Sequence, residues 1–167
     1  MALQLVLTVW ALILAVSDAR CRKLPNAWLL AGIAVGLVFF VARGSLPFGQ
    51  GVFEAVLVLV LVLLCFIPFY LAGWMGAGDV KYMAVIGWLG GGEVFFAVFL
   101  IGSIIAGLAA VMIQGWPQLW RQLLGSAALD ERLSLRIPFG SCLSLALLAV
   151  LWLGVPGWLH LLKERLL

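Results

Sequence analysis

An all-α, polytopic membrane protein of about six transmembrane helices in one bundle is the fold class predicted by three observations. Apolar residues make up 66% of the 167 residues and charged residues only 10%, and the mean hydropathy is +1.24, far from the composition of a water-soluble domain. The apolar residues fall into runs at roughly 2–17, 27–42, 52–72, 80–90, 94–115 and 138–159, separated by short segments rich in Gly, Pro or charge. Hydrocarbon offers backbone N–H and C=O groups no water partner, so such runs are expected as helices, which satisfy those groups internally. The length is that of one domain, and residues 1–167 are expected to form a single membrane-embedded unit.

The first run is expected to be a retained span. A secretory signal carries its positive charge ahead of the apolar stretch, whereas here Asp18, Arg20, Arg22 and Lys23 follow it. Pro25 and Asn26 are expected to open the second helix, and Pro138 to open the sixth. The fourth run is too short, since about eleven residues at 1.5 Å each cover about half of a roughly 30 Å hydrocarbon core. Either it begins earlier, so that 74–79 already dips into the membrane, or the Gly90-Gly91-Gly92-Glu93 turn lies below the far surface. Between the fifth and sixth runs, Trp116, Leu119, Trp120, Leu123 and Leu124 recur at helical spacing with Gln118, Arg121 and Gln122 between them. That pattern predicts an amphipathic helix lying on the membrane surface.

Basic residues set the orientation. Arg20, Arg22, Lys23, Lys81, Arg121, Arg132 and Arg136 fall on one side of a six-span chain, and Arg43, Lys163 and Arg165 on the other. Seven against three puts the loops after spans one, three and five in the cytoplasm and both termini outside. The net charge of +3 therefore reports membrane topology and implies no nucleic-acid partner; the expected partner surface is the lipid bilayer. Cys21, Cys65 and Cys142 form no C-x-x-C pair and have no His at ligand spacing, and the single histidine, His160, falls on the opposite side. No metal or cofactor is expected.

Of the seven acidic residues, Glu54, Glu93, Asp130, Glu131 and Glu164 sit at span ends or in loops. Asp18 closes the first span, and Asp79 ends Gly76-Ala77-Gly78-Asp79 at the start of the fourth, both at the cytoplasmic boundary. Helix propensity does not favour Gly76 or Gly78, so the backbone there is expected to turn sharply or to be approached closely, by another helix or by an extended substrate. Two carboxylates brought together at a shielded site cannot both ionise easily, so such a pair holds one proton between them. One member then takes a proton from an attacking water while the other donates to the developing oxyanion. Lys81 has three open roles: favouring an ionised Asp79, meeting an acidic group of a substrate, or anchoring topology.

These residues resemble a known family. Gly76-Ala77-Gly78-Asp79-Val80-Lys81 is similar to the G-x-G-D signature of the type IV prepilin peptidases. Asp18, Arg20 and Leu24-Pro25-Asn26 resemble that family's first motif, and Ile137-Pro138-Phe139-Gly140 its third. Presenilin-like proteases share a G-x-G-D run, but the first motif fits the prepilin group better. The resemblance implies an aspartyl endopeptidase of the cytoplasmic (inner) membrane. Asp18 and Asp79 would be catalytic, and Gly76, Gly78, Lys81, Arg20, Pro25, Asn26, Pro138 and Gly140 supporting. It implies as substrate a prepilin or pseudopilin, a basic leader peptide followed by a hydrophobic helix. Larger members carry a cytoplasmic segment with paired C-x-x-C motifs linked to methylation; its absence here implies a peptidase-only type, as in tight-adherence pilus systems. Two other classes remain: a small transporter or proton channel, which would place its acid nearer the midplane and show related halves, and a non-catalytic subunit of a pilus or secretion assembly.

Overall fold

The computed structural model describes residues 2–21, 24–115 and 139–155. Five helices are present: α1 (Ala2–Cys21), α2 (Asn26–Arg43), α3 (Val52–Leu71), α4 (Ala77–Gly115) and α5 (Phe139–Leu153), with no strand among the described residues. The first four are long and apolar enough to cross a membrane, while α5 is a shorter apolar helix. The chain is thus an all-α membrane protein. The segment proposed as an amphipathic surface helix, residues 116–136, lies outside the described residues, as do Pro138 and His160.

Five helices stand where six separate spans are expected, because the fourth and fifth runs are joined through a break inside α4. Gly91 adopts φ 66°, ψ −168°, a region open essentially to glycine alone. The break is a reversal. Tyr82, before it, reaches Ser144 of α5 at 2.9 Å, and a Cβ on Gly102, after it, would lie 3.0 Å from Leu143. In one straight helix Tyr82 and Gly102 would stand about 30 Å apart, too far to meet consecutive residues of α5. The limbs 77–90 and 92–115 therefore run in opposite directions. The first limb rises only about 21 Å, and its turn is buried beneath Gln50 and Glu54, where irregular backbone is screened from lipid. Helix α4 also starts at Ala77, three residues ahead of the expected run.

The first limb of α4 is the centre of the bundle. Tyr82 to Gly90 are buried without interruption, the pattern of a helix surrounded on every side. Helix α2 lies close along it because Gly32 and Gly36 present no Cβ to Val85, Trp88 and, from α1, Trp10. The two indole N–H groups find carbonyls on α2, Trp10 donating to Trp28 (2.7 Å) and Trp88 to Ile33 (3.3 Å). Phe66 of α3 holds the second limb through Phe95 and Phe99. Outward, α3 exposes Val56, Leu57, Val60, Leu61 and Leu64, and α1 exposes Leu5, Val9, Leu12 and Val16. So extensive an apolar exterior is a surface for lipid.

Candidate active site

The site is built where the C-terminal end of α1 meets the N-terminal ends of α4 and α5. Helix α4 starts at a turn that the Asp79 N–H closes by donating to the Gly76 carbonyl at 3.1 Å, and the Asp79 carboxylate lies against the Gly76 backbone. A carboxylate at this position also favours the positive end of the helix. Gly76 is required to be small, since a Cβ would sit 3.2 Å from Asp79 Oδ2.

Asp18 is 6% exposed, although it lies in the last turn of a mostly apolar helix. Its Oδ2 accepts the backbone N–H of Ser141 at 2.7 Å and faces the Ser141 hydroxyl at 3.2 Å. The preceding backbone N–H, that of Gly140, donates to the Asp79 carboxylate. Two consecutive peptide N–H groups of the first turn of α5 thus bridge two carboxylates that come from different helices. Asp18 is near enough for its charge to act on Asp79. Helix N-terminal N–H groups have no partner within their own helix, so this use of them satisfies donor and acceptor together.

Gly140 is the narrowest point: a Cβ there would lie 3.0 Å from Asp18 Oδ2, 3.1 Å from Asp18 Cγ and 3.1 Å from Leu24 Cδ1. Leu24 also covers Gly78, whose Cβ would meet the Leu24 Cβ at 3.1 Å. The close approach expected at Gly78, by a helix or by substrate, is thus made by the chain's own α1–α2 connection. Behind the site, Ser144 donates to the Gly140 carbonyl at 2.9 Å. Its single proton being committed there, the 2.9 Å contact to Tyr82 must be a bond that Tyr82 donates. Both residues are fully buried, and the relay fixes the Gly140 peptide against α4.

The structure brings Asp18, Asp79, Gly76, Gly78 and Gly140 together and leaves others aside. Pro25 stands at the N-cap of α2 in an extended conformation, so Pro25 and Asn26 do open that helix. Lys81, two residues beyond Asp79 and therefore on another face of α4, is exposed and donates to Asn26 Oδ1 at 3.2 Å. It joins the first and second motifs rather than the two acids. Arg20 is exposed on the last turn of α1. Ser141, Tyr82 and Ser144 belong to the site without having stood out in the sequence, and Leu24, read there only as part of the first motif, covers two of its glycines. The one signal available was Tyr82, a hydroxyl three residues after Asp79 in an apolar helix, which has to find a buried partner.

Residues 5–111, which carry Asp18 and the whole Gly76–Asp79 run, match the type IV leader peptidase family. The chain belongs to the type IV leader peptidase family. No curated protein and no solved structure matches it. As a leader peptidase it is a protease by family, and the family's substrates are prepilin-like proteins. The α5 contribution, Gly140 and Ser141, lies beyond the matched segment, so its place at the site is known from packing alone.

Proposed function

We propose that this leader peptidase is an aspartyl endopeptidase that removes the basic leader from prepilin-like proteins at the cytoplasmic face of the membrane, with Asp18 and Asp79 as the pair that activates water. The observation that carries this reading is the bridging of the two carboxylates by the Gly140 and Ser141 N–H groups. Carboxylates held this near share one proton. The ionised member takes a proton from water as the oxygen attacks the scissile carbonyl, and the protonated member donates to the carbonyl oxygen. Collapse of the tetrahedral intermediate returns a proton to the leaving amine. The rest of the substrate, a hydrophobic helix, stays in lipid beside the bundle. The reading fails if purified protein in liposomes leaves intact a prepilin-like substrate, basic leader followed by apolar helix, that a known leader peptidase cleaves under the same conditions.

The proposed topology counts the two limbs of α4 as separate passes, giving six with both termini outside. The α2–α3 connection then faces outward and the α3–α4 connection shares the cytoplasmic side with the two acids. With the native cysteines replaced, an impermeant thiol reagent added outside intact cells should label Pro47→Cys and leave Trp74→Cys unlabelled until the membrane is opened. Labelling of both positions from outside would remove the six-pass arrangement.

A further inference from the structure

The Ser141 hydroxyl has one proton and two acceptors within reach: the Ala15 carbonyl at 2.9 Å and Asp18 Oδ2 at 3.2 Å. A hydroxyl can donate once and accepts through its lone pairs. With Asp18 ionised, the Ser141 O–H points to Oδ2 and supplements the backbone N–H, which donates to the same oxygen at 2.7 Å. With Asp18 protonated on that oxygen, the carboxylic O–H donates to Ser141 Oγ, and the serine proton turns to the Ala15 carbonyl. The exchange is a rotation about one C–O bond and moves no heavy atom.

We propose that Ser141 is a positioning residue for Asp18, holding its carboxyl group in one place in both of the protonation states that a turnover requires. The inference rests on the dyad reading: a pair that shares one proton passes it between its members, so a carboxylate that begins the cycle ionised is protonated within it. A side chain anchored in one state only would relax in the other, and displacement of a reacting group by about 1 Å costs on the order of 100-fold in rate. Ala15 contributes through its backbone, so the second acceptor is independent of its side chain.

The test compares Ser141→Ala and Ser141→Thr, purified in detergent, on a prepilin-like substrate. Alanine keeps the backbone N–H and suits a helix but has no hydroxyl. Its kcat should fall by about 10- to 100-fold, the worth of one hydrogen bond to a charged group, while KM and thermal stability stay at the wild-type values. Threonine, which restores the hydroxyl, should recover most of kcat. Undiminished kcat in Ser141→Ala overturns the proposal. Loss through KM does so too, as does equal loss in both variants with lowered stability, which would mark a packing role. Inactive wild-type protein would instead sink the dyad reading, so the two failures are distinguishable.

Discussion

Asp18→Asn and Asp79→Asn should each abolish leader cleavage, with a loss of about 1,000-fold or more, and the double variant should be no worse than either single one. Asparagine has nearly the shape of aspartate, and its amide oxygen still accepts the Ser141 N–H at residue 18 and the Gly140 N–H at residue 79. What it lacks is a proton to exchange. Capping and packing are thus preserved while both acid and base function at that position are lost, and membrane abundance and thermal stability should change little. Non-additivity is the sharper criterion, because two groups sharing one proton act as one device and the second deletion removes nothing further. The measurement is single-turnover cleavage of a prepilin-like substrate by the two single variants and the double variant. Near wild-type cleavage by either single variant at normal abundance would end the assignment of the pair, and losses that multiply would mean two groups acting independently.

Much of this was legible in the sequence because lipid as solvent imposes coarse rules: the apolar runs and the charge bias between loops follow from hydrocarbon and headgroup chemistry. The helix start at Pro25-Asn26 was legible from the turn chemistry of those residues; the start of α4 at Ala77 was not, since the apolar run itself begins only at Val80. The joining of two runs into α4 was not, because Gly90-Gly91-Gly92 reads equally well as a loop and as a reversal, and only the positive φ at Gly91, with helix on both sides, makes it one element. At the site, Asp18 and Asp79 stood out as acids beside apolar runs. Ser141 did not, since its importance comes from a contact between the two ends of the chain, and a serine in a first helical turn is ordinary. For Lys81 the sequence left three roles open; two positions along a helix is about 200° around it, which turns it toward Asn26.

Gly140→Ala should be the most damaging conservative change outside the two acids, and its effect should exceed that of Gly78→Ala. The added methyl at 140 would be wedged between Asp18 Oδ2 at 3.0 Å, Asp18 Cγ at 3.1 Å and Leu24 Cδ1 at 3.1 Å. Leu24 meets the methyl with the far end of a flexible side chain; the Asp18 carboxyl is pinned by the Ser141 N–H and cannot retreat without stretching that bond. Nor can the 140 peptide shift easily, because its carbonyl accepts from Ser144, which Tyr82 holds in turn. The strain therefore falls on the distance between the carboxylates, where about 1 Å is worth on the order of 100-fold in rate. At Gly78 the methyl meets Leu24 alone, with Cβ at 3.1 Å and Cδ1 and Cγ at the ordinary distances of 3.5 and 3.6 Å, so its one tight contact falls on a connecting residue and not on a carboxyl group. The loss there should stay near tenfold or below, with overpacking of about 1–3 kcal/mol as the upper bound on lost stability. Cleavage rate and thermal stability of both purified variants decide the matter. Equal rates for the two, or a Gly140→Ala enzyme that cleaves normally, would mean that the first turn of α5 is not what sets the spacing of Asp18 and Asp79.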